Sequence, residues 1–332
     1  MQIIADPIDR DLLNNWQRDF PITSRPFAIM ADALDLDEAQ VLERLEKMQQ
    51  CGRISRVGAT CAPNTVSAST LAAVAVPVER IQEVADIINA EPGVNHSYLR
   101  ENDWNLWFVA TGPDRAFVDT ALARIEARSG LRVLDLRLVR PFNLDLGFRM
   151  DGPRVSTAPP TRRAIDLDAI QPGDRDILQG LTKGLPLIAQ PYAALAQSLG
   201  RSEGDILDRI CALQEVGIIS RLGVIVRHRA LGWRANAMVV WDLPSAQIDA
   251  AGPRLAALPG VTLCYERVPV EGVWPYRLYS MIHARSRPEA KTVLAKARAL
   301  PELADVPYQT LFSTQCFRQT GALISDKAEC VA

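Results

Sequence analysis

Apolar residues recur at helical spacing near the start of the chain and again in its second half. The first set is Val41, Leu42, Leu45 and Met48, and the second is Ile206, Leu207, Ile210 and Leu213. Spacings of three and four residues put each set on one face of a helix. The pattern therefore predicts one helix with a buried stripe in each half, ended by Gly52 in the first half and Gly217 in the second.

Two shorter helices are predicted before the first of these, and an extended segment after it. Residues 9–18 form the first helix, and Pro26 suits the first turn of the second, where its missing N–H is not needed. Asp35 to Glu38 has capping-box spacing for the third helix. Ile54 and Arg56 begin a short extended wing. Helix, helix, turn, helix and wing is the winged helix-turn-helix pattern, and residues 174–230 repeat it.

Strands and helices alternate after each winged helix. In the first half the predicted strands are 71–76, 94–100, 105–110 and 131–139, and the helices are 81–90 and 114–128. Val84, Ile87 and Ile88 form the inward face of the earlier helix. In the second half the strands are 237–241, 261–267, 277–283 and 308–312, and the helices are 245–258 and 287–299. The order βαββαβ is ferredoxin-like.

The two halves are copies of one module. Asp9-Arg10-Asp11-Leu12-Leu13 returns as Asp174-Arg175-Asp176-Ile177-Leu178, and residues 42–58 share 8 identities in 17 with residues 207–223. The predicted fold class is α+β: a tandem repeat of a winged helix-turn-helix and a ferredoxin-like domain, forming a pseudo-dimer in one chain. The predicted domains are 1–66, 67–150, 173–230 and 231–325, with a linker at 151–172 that is rich in Pro, Ser, Thr and Gly.

Composition is ordinary for a globular protein. Apolar residues make up 48% and charged residues 23%, and the formal net charge of −2 gives no general attraction to DNA or an anionic membrane. The first residues lack the basic start and apolar core of a signal peptide, and no apolar run is long enough to span a membrane. Six cysteines, at 51, 61, 211, 264, 316 and 330, form no Cys-x-x-Cys pair, so we expect buried thiols in a reducing cytoplasm rather than metal ligands.

The layout of the chain resembles the leucine-responsive regulator (Lrp/AsnC) family, whose members are DNA-binding transcription factors. The predicted recognition helices argue against that role here, because a helix in the major groove gains most of its affinity from Lys and Arg. The first carries Asp37, Glu38, Glu43 and Glu46 against Arg44 and Lys47. The second carries Glu203, Asp205, Asp208 and Glu215 against Arg209, with Arg201 just before it. Both helices are net acidic, so we expect no specific DNA binding and interpret these domains as a scaffold that packs against its neighbour.

The chain has only three histidines, and two of them lie beside a shared Tyr-x-Arg motif. When the halves are aligned, Tyr98 and Arg100 fall on Tyr265 and Arg267, whereas His96 falls on Leu263 and His283 on Thr111. Alternation along a strand puts His96, Tyr98 and Arg100 on one face, and His283 on a face with Tyr279 and Arg277. His228, just past the second wing, is predicted to lie on the surface.

Two longer stretches resemble the signatures of the siroheme decarboxylases, a family of Lrp-like proteins. They are His-Ser-Tyr-Leu-Arg-Glu-Asn-Asp-Trp-Asn-Leu-Trp-Phe-Val from residue 96 and Trp-Pro-Tyr-Arg-Leu-Tyr-Ser-Met-Ile-His from residue 274. The resemblance covers both halves and points to the fused, single-chain type. It implies that siroheme loses the carboxyl groups of two acetate side chains, giving 12,18-didecarboxysiroheme for haem d1 or haem synthesis. It implies no organic cofactor and no added metal, because the iron arrives inside the substrate.

The residues suit that chemistry independently. Siroheme carries eight carboxylates on a flat apolar ring, so it needs arginines around an aromatic slot. Candidate binding residues are Arg267, Arg277, Tyr265, Trp104, Trp107, Trp274 and Tyr276, and the candidate catalytic set is His96, His283, Arg100 and Tyr98.

Loss of carbon dioxide leaves carbanion character on a methylene, which an acid must protonate, and histidine can donate that proton or ligate iron. We hypothesise that one of His96 and His283 contacts the iron or orients the ring while the other donates the proton, with His283 favoured as donor. A ligand-responsive regulator and a tetrapyrrole carrier without chemistry stay open as alternatives. Beyond siroheme, the candidate partners are a second copy of the fused chain and other haem d1 enzymes, with no DNA and no membrane expected.

Overall fold

Each half of the chain begins with three helices and a wing strand. A computed structural model describes residues 6–143 and 164–325. In the first half the helices are α1 (Pro7–Asn15), α2 (Pro26–Leu34) and α3 (Glu38–Gln50), followed by strand β1 (Ile54–Cys61).

The ferredoxin-like part of the first half follows directly. It contains β2 (Ala68–Val74), α4 (Ile81–Asn89), β3 (Val94–Arg100), β4 (Leu106–Gly112), α5 (Arg115–Ser129) and β5 (Val133–Asn143).

The second half repeats both parts. Its winged helix contains α6 (Asp174–Lys183), α7 (Pro191–Leu199), α8 (Glu203–Glu215) and β6 (Ile219–Val226). Its ferredoxin-like part contains β7 (Ala235–Trp241), α9 (Ser245–Ala256), β8 (Val261–Arg267), β9 (Leu278–Ala284), α10 (Arg287–Arg298) and β10 (Tyr308–Gln319). The element order confirms the predicted tandem winged helix and βαββαβ repeat.

The cap of α3 differs from the prediction. The capping box is formed by Asp37 and Gln40, with each side chain bonded to the other residue's backbone N–H. Asp35 instead ends α2 in the left-handed conformation, at φ 54°. Asp37 makes the cap because the backbone N–H that its carboxylate bonds must lie three residues later in the first turn of the helix, and that residue is Gln40. Along the helix, Val41, Leu45 and Met48 are buried, whereas Leu42 is only partly covered.

The two winged-helix domains share one hydrophobic core and pair through their wings. One buried cluster contains residues of both halves, among them Leu45 of α3 and Ile210 of α8. Strand β1 pairs antiparallel with β6, so each wing is the other's partner. The interpretation of these domains as a mutually packed scaffold therefore fits the structure.

The arginines of both predicted recognition helices point into the protein. Arg44 lies 2.7 Å from Asp9 and 2.9 Å from Asp6, and Arg209 lies 2.7 Å from the fully buried Asp174. The same arginine–aspartate pair thus recurs at a shift of 165 residues. Because these guanidinium groups neutralise internal carboxylates, they are not available to a phosphate backbone.

The eight remaining strands close into one barrel. Their order is β10-β3-β4-β2-β5-β8-β9-β7, with β7 returning to β10. Each ferredoxin-like sheet contributes four neighbouring strands, and the two sheets join where β5 pairs with β8 and β10 pairs with β3. Strands β5 and β10 run several residues beyond their predicted ends because they cover the edge strand of the opposite sheet, which would otherwise present unpaired N–H and C=O groups. The order is unchanged by a shift of four strands, so a pseudo-twofold axis relates the halves.

Helices cover the outside of each sheet, and a separate apolar cluster fills the space inside the barrel. On α4, Val84 and Ile88 face the sheet as predicted, whereas Ile87 is only partly buried. The inner cluster combines residues of both halves, including Trp107 and Tyr279.

Other expectations meet mixed outcomes. The five described cysteines are free thiols, but only Cys264 is buried; Cys51 is exposed just after the end of α3, and Cys211 is exposed on the outward face of α8. Cys330 and residues 151–163 of the predicted linker lie outside the described residues, and residues 164–172 carry turns without a helix or strand. Within the described ranges, no helix is long and apolar enough to cross a membrane.

Candidate functional site

His283 lies near the end of β9 on the inner side of the barrel. It is 5% exposed, and its Nδ1 lies 2.7 Å from the Thr262 hydroxyl. The ring centroid of His228 lies 4.5 Å away, with the two rings nearly perpendicular. The strand, the hydroxyl and the second imidazole together fix the orientation of His283.

His228 was predicted to lie on the surface, and the structure shows this to be wrong. The residue is only 7% exposed. It opens a turn in which its carbonyl accepts hydrogen bonds from the N–H groups of Leu231 and Trp233, and both of these side chains pack against the winged-helix core. The turn therefore carries the imidazole inward onto β9. The sequence signal was the apolar pair at 231 and 233, which is unusual for a solvated loop.

His96 begins the Tyr-x-Arg face of β3. The rings of His96 and Tyr98 are stacked with centroids 6.4 Å apart, and the Arg100 guanidinium lies 5.6 Å from the Tyr98 ring. The predicted common face is confirmed. His96 Nδ1 also lies 3.1 Å from the side-chain oxygen of Asn95.

The strand pairing brings this face and His283 to one site. Strand β10 pairs first with β7 and then with β3, so Phe312 lies opposite Ala237 and Ser313 opposite Arg100. His283 lies opposite Asn236, the neighbour of Ala237. His228, from the turn after β6, contacts His283 directly, with ring centroids 4.5 Å apart. We call the His228–His283 pair and the His96, Tyr98 and Arg100 face, which this strand register links through β7 and β10, the histidine site.

The electrostatics of the histidine site are strongly cationic. Burial lowers the pKa of His96 to about 4, helped by the charge of Arg56. Burial likewise lowers the pKa of His228 to about 4, helped by Arg229 and His96. Both imidazoles are therefore neutral at neutral pH.

Three arginines of the histidine site lack a carboxylate partner. Among the described residues, Arg56, Arg100 and Arg229 form no salt bridge, and each has a buried nitrogen without a hydrogen-bond partner. Arg100 is 7% exposed, and burial lowers its pKa to about 10. A buried guanidinium without a counter-ion is costly, so such a group is typical of a site that takes up an anion.

The pseudo-symmetric position in the other half has no histidine. Arg267 lies 4.6 Å from the Tyr265 ring and 5.9 Å from the Tyr279 ring, repeating the Tyr-x-Arg arrangement. Its guanidinium donates to the carbonyl of Leu136 at 2.6 Å. Leu263 and Thr111 occupy the places of His96 and His283. Only one of the two related positions therefore holds acid–base groups.

The predicted aromatic residues form a packed group inside the barrel. Trp107 and Trp274 meet edge to face at 5.3 Å, and Trp274 lies 4.8 Å from Tyr276. The Trp274 indole N–H donates to the Tyr279 hydroxyl at 2.8 Å. Trp104 packs against the same cluster. Through Tyr279 this group reaches Arg267 of the second Tyr-x-Arg motif, and its contact with substrate stays a prediction. Arg277 is half-buried just before β9, held by backbone hydrogen bonds to 267 and 241.

Two cavities lie at repeat-equivalent places beside the barrel strands, and no histidine lines either of them. One, of about 330 Å³, is lined in part by Arg115, Arg137 and Arg175; the other, of about 230 Å³, is lined in part by Arg285 and Arg287. Arg115, Arg137 and Arg287 already pair with acidic side chains. The histidine site differs from both cavities in combining histidines with arginines that form no salt bridge among the described residues.

Comparisons with known proteins fit this arrangement. A protein-family profile described as the siroheme decarboxylase NirDL-like HTH domain matches residues 9–54 and 174–219, and one described as the AsnC-like ligand binding domain matches residues 66–142 and 230–318. The siroheme decarboxylase NirDL subunit of Paracoccus denitrificans (strain Pd 1222) is 57% identical over 323 residues, covering 97% of this chain and 99% of the relative.

A single-module relative and a solved structure complete the comparison. The siroheme decarboxylase NirD subunit of Stutzerimonas stutzeri is 47% identical over 148 residues, which is 45% of this chain and 97% of that subunit. A crystal structure of the siroheme decarboxylase NirDL in complex with an iron-uroporphyrin III analogue matches with a TM-score of 0.68 and 26% identity, covering 97% of this chain and 96% of that one. The chain therefore belongs to the NirDL family of siroheme decarboxylases.

Proposed function

We propose that this chain is a siroheme decarboxylase, a carbon–carbon lyase that removes the carboxyl groups of two acetate side chains to give 12,18-didecarboxysiroheme for haem d1 synthesis. Its relatives are named for this activity, and a solved neighbour was crystallised with an iron-uroporphyrin III analogue. The observation that carries the proposal is the histidine site: the strand register links His283, beside His228, to the strand face of His96, Tyr98 and Arg100 in the other half, and the arginines there form no salt bridge with any described residue.

Binding follows from charge. Siroheme brings eight carboxylates, and each one that leaves water needs a paired donor. Arg100 and its repeat counterpart Arg267 each lie beside the tyrosine ring of their own motif, and we assign both to substrate carboxylates. Charge-assisted bonds between guanidinium and carboxylate are the strongest contacts this site can offer.

The chemical step needs one bond broken and one proton delivered. The bond between the acetate methylene and its carboxyl carbon breaks, carbon dioxide leaves, and the electron pair stays on the methylene carbon, where the conjugated ring delocalises it. A proton from histidine then completes a methyl group. We assign this role to His283 because Thr262 and His228 hold its ring in one orientation. His96, stacked beside Tyr98, is assigned to the iron or to orientation of the ring.

The arginines also contribute to the protonation state of the site. Without substrate, burial keeps His96 and His228 neutral, and the charges of Arg56 and Arg229 add to this effect. Substrate carboxylates offset these charges, so their arrival favours the protonated imidazole that the reaction needs. We propose that no organic cofactor and no added metal take part, since the iron belongs to the substrate.

The decisive experiment is anaerobic incubation with siroheme followed by mass spectrometry. Loss of two carbon dioxide units by the unaltered chain, and not by His96→Ala or His283→Ala variants, is the expected result. Binding of siroheme with an unchanged mass would make the chain a carrier. Specific, salt-sensitive binding to a DNA operator would favour the regulator alternative, which the acidic recognition helices and inward-facing Arg44 and Arg209 argue against.

A further inference from the structure

We propose that the winged-helix domains supply part of the tetrapyrrole-binding surface, with Arg56 of the first wing and Arg229 of the turn after the second wing binding substrate carboxylates. The inference rests on the proposed function and gives these domains a role beyond that of a scaffold.

Arg56 is aimed by the backbone of β1. The pairing of β1 with β6 has a register shift between Ile54 and Arg56, an irregularity that redirects a side chain. The start of the Arg56 side chain lies against Gly184, where an added Cβ would come within 2.9 Å of the Arg56 Cβ. Gly184 also has φ +121°, a conformation that favours glycine. The chain thus leaves a groove for this arginine. Arg56 lies opposite Ile225 on β6, three residues before His228 of the histidine site, and its charge adds to the effect of burial in lowering the pKa of His96.

Arg229 enters from the opposite half. It follows His228, whose ring lies 4.5 Å from that of His283, in the inward turn. One of its terminal nitrogens is buried without a hydrogen-bond partner among the described residues. Burial lowers the pKa of Arg100, and the charge of Arg229 adds to that lowering. Arg229 therefore belongs to the turn that carries His228 into the histidine site.

The lack of counter-ions separates these arginines from the structural ones. The half-buried Arg44 and Arg209 each pair with aspartate in the same domains. Arg56 and Arg229 have no such partner among the residues described, and burial lowers the pKa of Arg56 to about 10. The charges of Arg229 and Arg100 repel each other, so an arriving polyanion relieves both this repulsion and the desolvation of the guanidinium groups.

The repeat indicates that the pair serves only one pocket. At the 165-residue shift, Arg56 corresponds to Arg221, but Arg229 corresponds to Asn64. The position related to the histidine site thus lacks the second arginine as well as both strand histidines. The equivalents of Arg229, His96 and His283 are thus all missing from the same related position, as we expect if these three residues act on one substrate.

The test is binding of two iron porphyrins, followed by their absorption spectra at increasing protein concentration. Iron-uroporphyrin III carries four acetates and four propionates, whereas iron-coproporphyrin III keeps the propionates and has methyl groups in place of the acetates. We expect Arg56→Gln and Arg229→Gln each to weaken iron-uroporphyrin binding by about tenfold and to reduce its dependence on salt, as loss of one charged hydrogen bond implies. Arg56→Lys should recover part of the loss. Arg221→Gln is the matched control at the same repeat position and should change the affinity by less than about twofold.

The two porphyrins identify the carboxylates. A loss seen only with iron-uroporphyrin assigns the arginine to an acetate, and an equal loss with both assigns it to a propionate; either result supports the inference. If both glutamine variants keep their unaltered melting temperatures and bind iron-uroporphyrin as the parent does, the inference is overturned while the proposed function stands. If the parent binds neither porphyrin, the proposed function itself fails. Should Arg56→Gln not fold, Arg229→Gln and Arg56→Lys decide the question.

Discussion

Replacing His283 by alanine is the sharpest test of the proposed chemistry. The change removes an imidazole that contacts Thr262 at 2.7 Å and His228 at a centroid distance of 4.5 Å. Truncating this buried ring should cost about 2–3 kcal/mol of unfolding free energy, part cavity and part hydrogen bond. Thr262 keeps its second hydrogen bond, to the Met281 carbonyl at 3.1 Å, so no hydroxyl is left without a partner.

The effect on turnover should be far larger than the effect on stability. Removing a positioned proton donor lowers the rate by about 10²- to 10⁴-fold. The assay is single-turnover decarboxylation of siroheme, with products quantified by mass spectrometry and folding checked by denaturant unfolding. Affinity for iron-uroporphyrin should change little, because arginines and not His283 carry most of the binding.

Two control variants distinguish removal of the His283 imidazole from a change in the residues around it. Thr262→Val keeps the imidazole but removes its Nδ1 partner, and we expect about tenfold slower turnover from the misaligned ring. Thr111→Ala alters the repeat counterpart of His283 and should leave turnover within about twofold. The reasoning is refuted if folded His283→Ala turns over as fast as the parent, or if Thr111→Ala is equally slow.

Three further predictions concern the scaffold and pH. Asp174→Asn should lower the unfolding free energy by about 3 kcal/mol because it removes the fully buried carboxylate that pairs with the half-buried Arg209. Asp9→Asn should cost only about 1 kcal/mol because Arg44 keeps a second carboxylate, that of Asp6. Urea titration compares the two variants. The pKa of His96 is lowered to about 4 in the folded state, so between about pH 6.5 and 4 the unfolded chain binds a proton at this residue and the folded chain does not. The free energy of unfolding should therefore fall as the pH falls through this range, and it should fall less steeply in His96→Gln. Urea titrations at several pH values measure both slopes. Gly223→Ala should destabilise the fold by about 2–3 kcal/mol since its Cβ would lie 2.4 Å from backbone atoms, whereas Gly204→Ala, with open space in α8, should stabilise by about 0.5–1 kcal/mol in the same assay.

The local parts of the fold were predictable from sequence. Apolar spacing and caps gave the helices, and alternation gave the common face of His96, Tyr98 and Arg100. These features depend on residues a few positions apart, where periodicity is informative. The misplaced capping box at Asp35 shows the limit of that information: two aspartates had acceptable spacing, and only the three-dimensional turn selects between them.

The long-range parts were not predictable in the same way. The end of β5 pairs with β8, and β10 crosses from β7 to β3, joining residues more than a hundred positions apart. Nothing local in residues 138–143 encodes that partner. The same limit hid His228 and Arg56, since each reaches the histidine site through packing between domains. The sequence therefore indicated that histidine and arginine form the site, and the pairing of strands between the two halves shows which of these residues lie near one another.

The pseudo-twofold axis explains why each half keeps a different histidine. The histidine site takes one strand face from the first half and the end of β9 from the second, and the related position takes Leu263 and Thr111 from the exchanged halves. In a homodimer, any substitution alters both sites equally. In a fused chain the halves can change separately. Leu263 in place of the His96 equivalent and Thr111 in place of the His283 equivalent both fall in the same related position, so the histidine site keeps both histidines. The complementary pattern of His96 and His283 is therefore what we expect if one pocket built from both halves carries the proposed reaction, and it favours that arrangement over two pockets each built within one half.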